Sequence, residues 1–308
     1  MPGAYAHITL VNFAKEPHRL EAGPGMAPVA ISALLDWFKY CELGAVSPDY
    51  PYLAPPLMEQ APWADLMHYD RTGEMIKAGV VAVRALLGEE KRKAFAWLLG
   101  YTAHVIADVT IHPVVELKVG PYAENKKAHR ICEMNQDAYI FQRLDLGGVG
   151  LSEHLDSGIR RCTLPGSQDI DPAIAITWRD MLHTCHPAAF VDGGPNIGSW
   201  HLGFGTTVDL AEEGNQLFPL ARHVAVGQGL TYPAADEIDM DAYINNLTVP
   251  GGHLTYDEIF DKAIRHVIEG WHLVATGVFE GDARYQTAFG QWNLDTGKDS
   301  SGRVVLWS

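Results

Sequence analysis

One stretch restricts the fold of this chain more than any other: Gly100-Tyr-Thr-Ala-His104-Val-Ile-Ala-Asp108-Val-Thr-Ile-His112-Pro113. Residues four and eight apart on an α-helix lie above one another, so His104, Asp108 and His112 form a row on one face. Their neighbours, among them Phe95, Trp97, Leu98, Leu99, Val105 and Ile106, are apolar around most of the circumference, which predicts a buried helix. Two imidazoles and a carboxylate in a core are costly unless something neutralises and hydrogen-bonds them. A divalent metal cluster does both. The alternative, three separately satisfied core side chains, does not account for the even spacing.

The chemistry recurs downstream. His129, Glu133 and Asp137 again fall four residues apart, on a segment patterned as an amphipathic helix. Imidazole and carboxylate at that spacing can bind one metal from one helix face. Such pairs also occur on solvated faces, but beside the first row this one reads as a second ligand set.

With 308 residues, 47% apolar and 20% charged, the chain is long enough for one large core and is foldable throughout. Its net charge of −15 argues against an extended nucleic-acid surface, although ligand carboxylates would be partly offset by bound ions. The four cysteines, Cys41, Cys132, Cys162 and Cys185, are widely spaced and suggest neither a zinc ribbon nor a disulfide framework. The first residues lack the basic and apolar regions of a signal peptide, and no run approaches 18 apolar residues. The expectation is a cytoplasmic protein with no transmembrane anchor.

The periodicity predicts an all-α chain, read as a single domain over 1–308. Helices are expected over residues 28–40, 72–87, 89–118, 121–144, 171–185, 208–226 and 255–279. Prolines 48, 51, 55, 56 and 62 predict a loop over 44–63, and the Gly-rich 187–205 predicts a long functional loop. The only strand signal lies near 304–306. Asp49 follows Pro48 in one loop, and His68 stands among aromatic and acidic neighbours before a helix. Taken singly, Asp49, His68 and His7 are unremarkable; a turn or an N-cap explains such residues equally well.

Taken in order, the segments Ala-His7-Ile-Thr, Gly-Ala-Val-Ser-Pro-Asp49, Met-His68-Tyr, the His104/Asp108/His112 helix and His129-x-x-x-Glu133 resemble the zinc-dependent phospholipases C. The resemblance extends to the catalytic domain of glycosylphosphatidylinositol phospholipase D and, more distantly, to S1/P1 nucleases. It covers about residues 1–145, the expected metal-binding core, and leaves about 146–308 as a substrate-side region. It implies a helical fold around a buried polynuclear zinc site. Asp49, His68, His104 and Asp108 would hold one zinc; His112, His129 and Glu133 a second; His7 and a bridging Asp108 a third. Secreted bacterial members complete the third site with the amino group of an N-terminal Trp. This chain begins Met1-Pro2, which places that ion in question and gives a count of two or three.

The resemblance implies hydrolysis of a small-molecule or lipid phosphoester by zinc-activated water, with Asp49 accepting the proton. The mixed donors also suit iron or manganese. Tyr50, Tyr52, Trp63, Tyr69 and Trp200 are candidates to line the substrate channel, with core packing as the rival reading. Asp137 is expected behind the ligands, hydrogen-bonded to His104, His112 or His129. The alternatives are an S1/P1-like nuclease or nucleotidase, and a metalloprotein recruited to non-phosphate chemistry or carrying a structural cluster.

Overall fold

A computed structural model describes residues 3–54, 59–145, 158–191, 193–215 and 232–307, with the backbone alone for 207–215. The glycine run 147–150 and most of the helix expected over 208–226 lie outside these residues. The chain is all-α. Its helices are α1 (Ala4–Ala14), α2 (Pro17–Ala22), α3 (Pro28–Asp36), α4 (Phe38–Val46), α5 (Ala61–Tyr69), α6 (Thr72–Ala85), α7 (Gly88–Val119), α8 (Tyr122–Phe141), α9 (Pro172–Cys185), α10 (Ile197–Asn215), α11 (Met240–Tyr243), α12 (Tyr256–Phe279) and α13 (Tyr285–Ala288). Among the described residues, sheet is confined to two antiparallel ribbons, β1 (Leu247–Val249) with β2 (Gly252–Leu254) and β3 (Trp292–Asn293) with β4 (Lys298–Asp299). Val304 makes only an isolated bridge to Lys298.

The row-bearing helix α7 is the axis of the fold, with α1, α3, α4, α6, α8, α9 and α12 packed against it. Every residue from Ala94 to Val115 is buried. By length and composition α7 would cross a bilayer, which the sequence reading did not anticipate, but its apolar window is wholly enclosed by protein. Glu89 and Glu90 suit its N-terminal dipole, and Gly120, at φ +88°, ends it. On one side α12 presents Ile259, Phe260, Ala263, Ile264, Val267, Trp271 and Val274, all buried. Its N-terminus is fixed by a Thr255–Glu258 capping box. The Trp271 indole donates to the Leu99 carbonyl at 2.8 Å.

On the other side α4 crosses α7 with backbones touching. A Cβ at Gly44 would lie 2.0 Å from the Trp97 carbonyl oxygen, and one at Gly100 1.9 Å from that of Cys41. Only glycine permits this approach, which brings the end of α4 onto the His104 face. The C-terminal tail packs where Pro113 interrupts the α7 hydrogen-bond ladder. Gly297, at φ +63°, lies so close that a Cβ would be 2.5 Å from the Pro113 ring and 2.6 Å from the Val109 carbonyl.

Both expected loops are more regular than their composition suggests. In 44–63, α4 runs on to Val46, Ser47–Leu53 forms a 3₁₀ helix, and α5 starts at Ala61. Pro48 and Pro62 each occupy a first-turn position, where a missing N–H costs nothing. In 187–205, α10 begins at Ile197 despite its glycines, because Trp200 and Phe204 bury. Residues 28–40 form two helices, broken at Trp37.

Candidate metal centre

Four elements converge on one face of α7. The first helix, α1, carries His7; the 3₁₀ turn after α4 carries Asp49; the last turn of α5 carries His68. Opposite them stand His104, Asp108 and His112 of α7 and His129 and Glu133 of α8. The six imidazole and carboxylate groups of His7, His68, His104, Asp108, His112 and His129 are at most 1% exposed. Asp49 and Glu133, with side chains 19% and 12% exposed, are the two that meet solvent.

Asp108 stands at the junction. Its Oδ1 is 3.3 Å from His7 Nε2, while its Oδ2 is 3.2 Å from His104 Nε2 and 3.9 Å from His68 Nε2. Asp49 Oδ1 approaches His68 Nε2 at 3.3 Å. The donor atoms of His7, His104 and Asp108 lie within 4.8 Å of one another, and so do those of Asp49, His68 and His104. A neighbouring group forms around Glu133 Oε1, 3.0 Å from His129 Nδ1 and 3.6 Å from His112 Nε2. The eight expected ligands are thus all brought to this face.

Three of the rings are aimed by backbone carbonyls. His104 Nδ1 donates to Ala45 at 2.8 Å, His68 Nδ1 to Ala64 at 2.7 Å, and His112 Nδ1 to Leu294. A proton fixed on Nδ1 leaves Nε2 as a bare lone pair facing the carboxylates, the tautomer a metal requires. Sequence reasoning missed these partners, because a carbonyl has no residue type. The tail is tied in twice, since the Leu294 N–H also donates to the His68 carbonyl at 3.0 Å.

Charge follows the geometry. Burial alone disfavours a proton on His104, but Asp108 and Asp49 outweigh it and raise the ring pKa to about 9. Burial would raise the Asp108 carboxyl, yet the His104 and His112 rings hold it well below the usual range. Asp49 is likewise held down, by His104 and His68. His7 is pushed the other way, to about 4, by burial and by His104, on which it stacks at 4.1 Å. Without metal, one proton on His104 serves two carboxylates.

The donor set fits zinc. Both Asp108 oxygens and the Nε2 atoms of His7, His112 and His129 are buried without a well-formed hydrogen bond. Unpaired buried polar atoms are rare because each carries its desolvation cost, and a cation would satisfy several together. Histidine nitrogen and carboxylate oxygen are ordinary zinc donors.

One expectation needs correction. Asp137 is fully buried but does not reach the rings of His104, His112 or His129; its oxygens accept from the N–H groups of Ala6 at 3.0 Å and Tyr5 at 3.3 Å. Tyr50, Trp63 and Trp200 are buried and pack on other aromatic rings. Tyr50 stacks on Phe204 at 4.9 Å, Trp63 meets Phe190 edge-on, and Trp200 meets Trp178. Tyr50 thereby anchors the turn that presents Asp49. Tyr69, 37% exposed, lies 6.1 Å from the His68 ring, its hydroxyl donating to Asp295 at 2.8 Å. Tyr52, bonded to Asp65, lies 6.1 Å from the His68 ring; Tyr122, edge-on to His129, was not among the expected residues. The cysteines are buried and unpaired, as expected.

No curated protein and no solved structure matches this chain. Residues 6–187, more than half of it, match the zinc dependent phospholipase C family, and that span carries all eight residues around Asp108 and Glu133. An all-helical fold, a buried His/Asp cluster and a match of that extent agree: the chain belongs to the zinc dependent phospholipase C family of metal-dependent phosphoester hydrolases.

Proposed function

We propose that this chain hydrolyses a phosphoester with two or three zinc ions held by the cluster. Asp49, His68, His104 and Asp108 hold the first, His112, His129 and Glu133 the second, and His7 with Asp108 the third. The division of the Asp108 oxygens between His7 on one side and His104 and His68 on the other carries this reading. When bound, zinc acidifies water to near neutrality and offsets charge on phosphoryl oxygens. The protein's own groups do the rest. The carbonyls behind His68, His104 and His112 keep those rings aimed, with Nε2 turned to the cluster. Asp49, ionised and the most exposed of the Asp108 group, holds an incoming water and takes its proton.

The surroundings of the centre suit a small or lipid phosphoester better than a nucleic acid. Tyr52, Tyr69 and Tyr122 offer aromatic surface beside the carboxylates of Asp65 and Asp295. A polyanion would meet like charge beside these carboxylates, within a chain of net charge −15. The test is hydrolysis of phosphatidylcholine vesicles, bis-p-nitrophenyl phosphate and single-stranded DNA by the zinc-loaded protein. Chelator-sensitive cleavage of either of the first two, with little on DNA, is expected. Tight zinc binding without cleavage of any would favour a structural cluster.

A further inference from the structure

The buried carboxylate of Asp137 touches no ring of the centre, and its partners are the first N–H groups of α1. That helix begins without a local cap: Gly3 at its N-cap has no side chain, and no acidic residue lies in the first turn. Helices normally satisfy these N–H groups with a Ser, Thr, Asp or Asn at the N-cap, whose oxygen reaches the second or third helical residue. Here Asp137, projecting from α8, accepts from those two positions, Tyr5 and Ala6. It fills the space of the missing side chain, since a Cβ on Gly3 would lie 1.9 Å from Asp137 Oδ2. The Tyr232 hydroxyl donates to the same oxygen at 3.3 Å.

His7 follows Ala6 directly. It differs from His68, His104 and His112 in having no hydrogen bond at either ring nitrogen. Its stacking on His104 and its 3.3 Å approach to Asp108 depend on where α1 starts and how α1 is rotated. One turn before Asp137, the same helix carries Glu133, so one rigid element supplies both a ligand and the cap.

We infer that Asp137 is a positioning residue for the metal centre: from α8 it caps α1 in place of a local side chain and so sets the His7 ring against Asp108. This rests on the reading of His7 as a ligand given above, and the test separates the two. Zinc content and zinc affinity, by competition with a chromophoric chelator, are measured on the full chain for wild type, His7→Ala, Asp137→Ala, Asp137→Asn and the His7→Ala/Asp137→Ala double variant. Asp137→Ala is expected to weaken the His7-dependent ion by about 10–100-fold and to spare the others, the usual scale for groups behind a ligand. Asp137→Asn, which keeps one acceptor, falls between. In the His7→Ala background the Asp137 substitution should add nothing to the zinc loss.

Unchanged zinc affinity in Asp137→Ala, equal weakening of every ion, or full additivity with His7→Ala overturns the inference and leaves the function standing. If His7→Ala itself leaves zinc binding intact, the ligand assignment falls and this inference with it. Where Asp137→Ala yields no folded protein, Asp137→Asn carries the same comparison.

Discussion

Gly100→Ala tests whether the α4–α7 contact sets the metal centre. The new Cβ would stand 1.9 Å from the Cys41 carbonyl oxygen and 2.7 Å from the Ala45 amide, backbone atoms that no rotamer change can move aside. Ordinary contact begins at 3.4 Å, so α4 must retreat by about 1.5 Å or α7 must bend. The Ala45 carbonyl, which accepts from His104 Nδ1 at 2.8 Å, lies at this contact, and a retreat of that size breaks the bond. Overpacking costs about 1–3 kcal/mol and the lost hydrogen bond about 1 kcal/mol more, so the fold should lose about 2–4 kcal/mol. With its ring no longer aimed, His104 should bind zinc about 10–100-fold more weakly.

The assay pairs urea unfolding of the chelated protein with a zinc competition titration. Gly79→Ala is the control, because its Cβ would meet the side-chain atoms of Leu98 and Met181, which can move. A loss of stability with unchanged zinc affinity would show that the Ala45 carbonyl does not aim His104. An equal zinc loss in Gly79→Ala would show that the effect is global loosening.

Asp108→Ala is expected to abolish hydrolysis and to lower zinc content by more than one ion, because its two oxygens face different histidines; loss of a single ion with activity kept would end the bridging role. In the metal-free protein the His104 pKa of about 9 exceeds its unfolded value of 6.5, so its stabilising contribution is full below 6.5 and disappears as pH rises through about 9. Zinc must displace that proton, so affinity should climb about tenfold per pH unit up to that range, and a flat profile would contradict it. Chelation should lower the melting temperature by roughly 10 °C, since the buried donors then lack a partner; an unchanged melting temperature would show that zinc contributes nothing to the fold.

The row on α7 was legible because helical periodicity is a geometric statement about the chain itself. If residues 95–115 form a buried helix, His104, Asp108 and His112 share a face whatever packs around them. His129 and Glu133 were readable for the same reason. His7, Asp49 and His68 were not, since each is one residue on a separate element, and only their order against a known family joined them. Prolines hid the regularity of 44–63, because a first-turn proline and a loop proline look alike in sequence. Glycines hid α10, where burying Trp200 and Phe204 outweighs the roughly 1 kcal/mol that each helical glycine costs.

Asp137 marks where periodicity misleads. It continues the His129/Glu133 face by a turn, and the pattern alone places it beside the same rings. That inference assumes straight continuation toward one target, but α1 starts at that level and its bare N–H groups are the nearest donors. The partners that do orient the rings are carbonyls; Ala64 lies one turn before His68 on α5, but the other two are placed by tertiary approach. Ala45 arrives because Gly44 and Gly100 let two helices touch. Leu294 arrives because Pro113 and Gly297 let the tail lie on α7, and its N–H and C=O then link His68 of α5 to His112 of α7. Leu294 lies more than one hundred residues beyond the family-matched span, yet it closes the centre. The candidate ligands are written in side chains, while the aim of His104 and His112 is written in glycines and a proline that carry no metal chemistry of their own.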